Sequence, residues 1–201
     1  GVLESAVEKA GRKVLELLEK KEVKVVSLLK FVTNADHISD KILIKTIKES
    51  LGKNIAIYSE ESGGEKTDEL QAILDGIDGT TNYLHGDDFW GISAAIYKNN
   101  KPLAAAIFQP VIDVLFKTNA TLLVASLSDR ATHGPFLKTE LRVSDNSNLS
   151  LARVWADWTK GDPKLVLSIL EKLNNHTKLP QIRVCCAISM SQVAQGKIDG
   201  Y

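Results

Sequence analysis

Glu60, Asp75 and Asp78 are the residues whose type and spacing could do chemistry together. Glu60 follows the apolar run Ile55-Ala56-Ile57-Tyr58 and opens a polar, glycine-rich loop, Glu60-Glu61-Ser62-Gly63-Gly64. Further on, the short apolar run 71–74 ends in Asp75-Gly76-Ile77-Asp78-Gly79-Thr80-Thr81-Asn82. If these two strands lie side by side, three carboxylates converge at one edge of a sheet. Like charges gathered in that way repel, and such a cluster needs a cation. A ligand set made only of oxygen suits Mg²⁺ or Mn²⁺ and not zinc. Gly76 and Gly79 allow a tight backbone path that can turn the Ile77 carbonyl inward as a further oxygen ligand. Thr80, Thr81 and Asn82 then open a short helix, whose free N–H groups make a natural phosphate site. Metals beside a phosphate site imply hydrolysis or transfer of a phosphoryl group, with two cations clamping the attacking and leaving oxygens. The bland alternative is a capped turn, because Asp, Gly and Thr are common turn residues. Glu60-Glu61-Ser62, placed upstream at the end of its own strand, weighs against it.

The elements that must position these residues follow from periodicity. Residues 3–20 carry Leu3, Val7, Ala10, Val14, Leu17 and Leu18 at helical spacing, which predicts an amphipathic helix. An extended piece is expected over 23–33. A second helix is predicted over 37–51, with Asp36 in the N-cap position and Gly52 as its stop. Strands are predicted over 54–59 and 71–74. The runs 89–97 and 102–108 flank Asn99-Asn100-Lys101 and read as a hairpin. A further strand is expected over 111–116. Beyond Lys117 the pattern is poor, with strand-like pieces at 121–125 and 153–158. Helices are predicted over 163–173 and 187–195, with a strand at 182–184 between them. Helices and strands are mixed and the hairpin argues for antiparallel pairing. The fold class is therefore α+β and layered, not a regular βαβ succession. With no repeat, low-complexity tract or clear linker, residues 1–201 read as a single domain.

Composition excludes several function classes. The chain has 25 Lys plus Arg and 25 Asp plus Glu, so its formal net charge is zero and no basic excess draws it to nucleic acid or anionic lipid. No stretch approaches the length of a membrane span. The only two cysteines, Cys185 and Cys186, are adjacent; they read as two small core residues of a reduced, cytoplasmic protein. His37, His85, His133 and His176 are scattered and read as surface or packing residues.

Taken together, the motifs resemble those of the inositol monophosphatase family, within the superfamily that includes fructose-1,6-bisphosphatase. Residues 75–82 resemble its D-P-I-D-G-T-x-N signature, Glu60-Glu61-Ser62 its E-E-S, and Val32-Thr33-Asn34-Ala35-Asp36 its V-T-x-x-D. Residues 193–201 resemble its V-A-x-G-x-x-D-x-Y. The resemblance implies a layered α-β-α-β-α sandwich of the sugar-phosphatase kind, with its C-terminal part incomplete. It implies a Mg²⁺-dependent phosphomonoesterase, sensitive to lithium and commonly a homodimer. By the same resemblance Glu60, Asp75, the Ile77 carbonyl and Asp78 bind metal. Asp36 and Thr80 orient and deprotonate the attacking water, and the N–H groups of Gly79 and Thr80 hold the phosphate. The expected substrate is a small phosphorylated polyol or sugar, with inositol monophosphate first, fructose 1,6-bisphosphate second and 3′-phosphoadenosine 5′-phosphate third.

The sequence departs from the family in three places. Residues 117–178 hardly match. Val184-Cys185-Cys186-Ala187 stands where the family has G-S-A-A. The family's later W-D-x-A-A segment, whose Asp completes a metal site, does not appear before Tyr201, and residue 1 is not Met. Truncation at both ends is the expectation. A competing reading is a truncated or degenerate relative that binds metal, phosphate or a partner without catalysis. A haloacid-dehalogenase-type loop is rejected, because the position of its nucleophile is held by Gly76.

Overall fold

Apolar residues three and four apart bury one face of the first helix, α1 (Val2–Glu16), through Leu3, Ala6, Val7, Ala10 and Val14. The computed structural model describes residues 1–20, 22–27, 30–118, 123–127, 137–157, 162–177 and 180–201. The expected helix over 3–20 stops at Glu16 and is followed by a separate 3₁₀ turn at Leu18–Lys20. The extended piece is two strands, β1 (Val23–Ser27) and β2 (Lys30–Thr33), paired antiparallel.

Helix α2 (Asn34–Leu51) begins earlier than periodicity suggests. Thr33, not Asp36, is its N-cap. The Thr33 hydroxyl accepts from the N–H groups of Ala35 and Asp36, and the Asp36 carboxylate accepts the Thr33 N–H at 2.7 Å. This capping box satisfies donors from both directions and moves Asp36 to the third helical position.

Strands β3 (Ala56–Ser59) and β4 (Gln71–Asp78) are parallel neighbours, with Ser59 opposite Leu74. After them come the short helix α3 (Thr80–His85) and five antiparallel strands: β5 (Gly91–Lys98), β6 (Lys101–Gln109), β7 (Val114–Thr118), β8 (Leu123–Leu127) and β9 (Leu137–Glu140). All seven form one sheet in the order β3-β4-β5-β6-β7-β8-β9. The β5–β6 hairpin turns at Asn99 and Asn100, at φ 52° and 57°, the two left-handed residues of a type I′ turn, whose twist matches the right-handed twist of the strands. Strand β7 starts at Val114, later than expected, because residues 110–113 turn with Asp113 at φ 56°. Arg12 of α1 donates to the buried Asp113 carboxylate at 3.1 Å.

Helices α1 and α2 pack on each other and on this sheet, and the core between them includes Val7, Leu43, Ile47, Leu74, Ile92 and Phe108. Gly11 lies where α1 comes nearest the sheet: an added Cβ would stand 2.6 Å from Phe108 Cδ1. Tyr83 and Trp90 are fully buried and meet edge to face, with ring centroids 5.1 Å apart.

Contacts divide the chain into two units, Gly1–Glu140 and Leu141–Tyr201. The second holds β10 (Trp155–Ala156), α4 (Pro163–His176), β11 (Gln181–Ile182), parallel to β10, and α5 (Cys186–Ala194). Asp162 caps α4 by accepting from the Lys164 N–H. Asp199 accepts from the Arg153 N–H at 2.7 Å and from the Ser144 hydroxyl, and these bonds hold its carboxyl below the usual range. Cys185 is buried but Cys186 is exposed, so only one cysteine is a core residue. Leu165, Leu167 and Ile169 of α4 are exposed. The predicted residues 121, 122 and 158 lie outside the described residues, as does His133. The fold is mixed α+β, with a central sheet and helices.

Candidate active site

The parallel register of β3 and β4 brings Glu60 to the Asp75 end of the sheet. The Glu60 N–H extends the ladder by one bond, to the Leu74 carbonyl at 3.2 Å. Asp75 and Asp78 are three apart, a spacing that sends side chains to opposite faces of a regular strand. Here β4 carries a bulge against β5: Asp75 pairs with Ser93 and Asp78 with Gly91, so one extra residue is absorbed between them. Partners two apart lie on one face, and the bulge therefore returns Asp78 to the face of Asp75. The Ile77 N–H donates to Asp75 Oδ1 at 3.0 Å, and the Gly76 carbonyl accepts from the Ser39 hydroxyl of α2 at 2.7 Å. Gly76 is the point of closest approach, since a Cβ there would stand 2.9 Å from the Asp36 carbonyl oxygen.

Burial pushes the Asp75 carboxyl well above the usual carboxylate range, and the charges of Asp78 and Glu60 push it further. A side-chain hydrogen bond with Glu60 pushes it the same way. Among the described residues, no group of three or more His, Cys, Asp or Glu side chains is placed to hold a metal ion by itself. The candidate set is Glu60, Asp75, Asp78 and the Ile77 carbonyl. Its donor chemistry, carboxylate and carbonyl oxygen only, is that of a Mg²⁺ site.

Beside this set stands a second pair. Asp36 is 1% exposed, yet it is accompanied by hydroxyls and not by cations. Thr33 donates to its Oδ2 through both N–H and hydroxyl, at 2.7 and 2.5 Å. Thr80 Oγ1 lies 3.1 Å from Asp36 Oδ1 and 3.0 Å from the Ile77 carbonyl oxygen, two acceptors for one hydroxyl proton. Burial raises the Asp36 pKa, and the bonds from Thr33 and Thr80 offset only part of the rise. Burial and the nearby Asp36 charge push the Tyr83 phenol up to about 12. Gly79, at φ 90°, makes the left-handed turn into α3. The first N–H groups of that helix, from Thr80 on, have no partner within it.

All the residues singled out for chemistry in the sequence thus fall on β4, on the turn after β3 and on the two helix starts beside them. Thr80 contacts both Asp36 and Ile77, and the charges of Glu60 and Asp78 act on Asp75. Asp40, Ser59 and Ser62 were missed. Both oxygens of the buried Asp40 carboxylate accept hydroxyl bonds, one from Ser59 and one from Ser62. The available signal was spacing: Asp40 is one helical turn after Asp36, on the same face. Of the histidines, His37 and His85 are exposed; His37 Nδ1 is 3.9 Å from a Glu61 oxygen.

The site and fold belong to one class, a mixed α+β protein with an oxygen-lined acidic centre at the end of a central sheet. The model of the inositol monophosphatase family matches residues 2–201. The chain belongs to that family, a family of phosphatases. It is 28% identical over 204 residues to inositol monophosphatase 3 of Solanum lycopersicum, covering 96% of this chain and 72% of that protein. It is 35% identical over 117 residues to the Nus factor SuhB of Vibrio cholerae, covering 55% of this chain and 43% of that one. The crystal structure of the extragenic suppressor protein SuhB from Bartonella henselae superposes with a TM-score of 0.81 at 26% identity, covering 98% of this chain and 74% of that chain. No helix among the described residues is long and apolar enough to cross a membrane.

Proposed function

We propose that the chain is a Mg²⁺-dependent phosphomonoesterase acting on a small phosphorylated polyol or sugar, with inositol monophosphate the first candidate. The observation that carries this reading is that Glu60 and Asp78 lie near enough to the buried Asp75 for their charges to add to the rise burial gives its pKa, beside the Asp36–Thr80 pair. Glu60, Asp75, the Ile77 carbonyl and Asp78 would hold the cation. When bound, Mg²⁺ supplies charge neutralisation for the phosphate and acidifies water. The Thr80 hydroxyl orients the attacking water, and Asp36 takes its proton through Thr80. Burial raises the Asp36 pKa, which makes its carboxylate a stronger proton acceptor. The N–H groups of Gly79 and Thr80 hold phosphate oxygens.

The test is phosphate release with Mg²⁺ over inositol 1-phosphate, fructose 1,6-bisphosphate and 3′-phosphoadenosine 5′-phosphate, beside Asp78→Asn. Turnover by the parent chain and its loss in a folded Asp78→Asn variant is the expected result. Activity retained in Asp78→Asn would contradict the metal assignment. A second reading, a non-catalytic binding protein, is favoured by the relatives named as Nus factors. A folded chain with no turnover on any of the three substrates supports it.

A further inference from the structure

Helix α2 makes a second set of contacts, one turn beyond Asp36. Asp40 is 1% exposed, and each of its two carboxylate oxygens accepts a hydroxyl bond, from Ser59 and from Ser62. Those serines flank Glu60 and Glu61. Ser59 Oγ in turn accepts the N–H groups of Glu61 at 3.2 Å and Ser62 at 3.3 Å. The turn closes on itself through reciprocal backbone bonds between Ser59 and Gly63, at 2.9 and 3.0 Å. Asp40 is therefore the anchor of a small network that carries Glu60 and Glu61.

This anchor is costly. A buried carboxylate is tolerated only where hydrogen bonds replace its water, and here hydroxyls provide them. An apolar residue would fill the same helix position without that cost. What the carboxylate adds is geometry: two acceptor oxygens at a fixed separation set the spacing of Ser59 and Ser62 and so the path of the backbone between them. The neighbouring Ser39 hydroxyl holds the Gly76 carbonyl, within the Asp75–Asp78 bulge. One turn of α2 thus grips both acid-bearing segments.

We infer that Asp40 is a positioning residue: through Ser59 and Ser62 it fixes the turn that presents Glu60 to Asp75 and Asp78. Its service to a cation rests on the function proposed above; its hold on the turn does not. Supporting groups of this kind typically change metal affinity by about 10–100-fold when removed. Asn in place of Asp40 keeps one acceptor oxygen and places an amide where the second hydroxyl donates.

The experiment compares the parent chain with Asp40→Asn and with Ser62→Ala, a change at an exposed residue of the turn and outside the helix. Two readouts are taken on each protein without substrate: hydrogen exchange of the Glu61 and Ser62 amides, and Mn²⁺ binding followed by electron paramagnetic resonance. In both variants the two amides are expected to exchange at least about tenfold faster, with amides of β5 and β6 unchanged. Mn²⁺ is expected to bind about 10-fold or more weakly in Asp40→Asn. Exchange at parent rates in both variants overturns the inference. So does faster exchange with parent Mn²⁺ affinity, since the turn would then be held for some purpose other than Glu60. A parent chain that binds no Mn²⁺ overturns the proposed function, and the exchange rates still decide whether Asp40 holds the turn.

Discussion

Thr80 has one hydroxyl proton and two acceptors, Asp36 Oδ1 and the Ile77 carbonyl oxygen. In the proposed reaction the Ile77 oxygen would help hold the cation, and the hydroxyl would then face Asp36 and the water. Thr80→Ala should then lower kcat by about 100-fold or more, the scale of a lost acid–base contact. The Mg²⁺ concentration for half-maximal rate should stay near that of the parent. Steady-state phosphate release over a Mg²⁺ series measures both, and a variant that recovers full rate at high Mg²⁺ would contradict the assignment. Asp36 owes its hydroxyl environment to the capping box, so the residue that starts the helix and the one proposed to take the proton are held by the same bonds.

Among the elements, α1 decides how closely helix and sheet approach. Gly11 is the contact, with Phe108 Cδ1 and the Pro110 ring within 3 Å of where its Cβ would be. A glycine inside a helix costs about 1 kcal/mol relative to alanine, and close packing offsets that here. Gly11→Val should destabilise the fold by roughly 1–3 kcal/mol through overpacking. Urea unfolding followed by tryptophan fluorescence reads the change, and a midpoint equal to the parent would mean that α1 does not press on β6 as described. Strand β4 makes the matching point for the site: its bulge, not its alternation, puts Asp75 and Asp78 on one face.

For the molecule as a whole, the acid cluster ties stability to pH and to cations. Asp75 has a folded pKa raised by burial and by its acidic neighbours, so the folded chain holds a proton that the unfolded chain releases. The raised Asp36 acts in the same direction. Their contribution is fully present below the ordinary carboxylate pKa and is lost as pH rises through the raised values. In the presence of a chelator, Tm should therefore fall as pH rises from the carboxylate range towards neutrality. Mg²⁺ should remove most of that fall, because a cation takes over what the proton did and binds only the folded state. Thermal melts at several pH values with and without Mg²⁺ check this, and parallel profiles would contradict the coupling of the acids.

The residues of the acidic centre were legible from sequence because they sit in short, glycine-punctuated runs directly after apolar strands, where local rules suffice. The helices and the β5–β6 hairpin were legible for the same reason, since their apolar periods and turn residues are local. The helix start was misplaced by three residues because Thr33 and Asp36 cap each other, a reciprocal arrangement that a single N-cap position does not reveal. Strand β9 carried no distinct apolar run, and its place comes from pairing with β8. What only the tertiary structure decided is the side-by-side register of β3 and β4, the bulge that aligns Asp75 with Asp78, and the reach of Asp40 to Ser59 and Ser62. Each of these depends on contacts between residues far apart in the chain, where hydrogen-bond partners are chosen by packing and no local pattern encodes the choice.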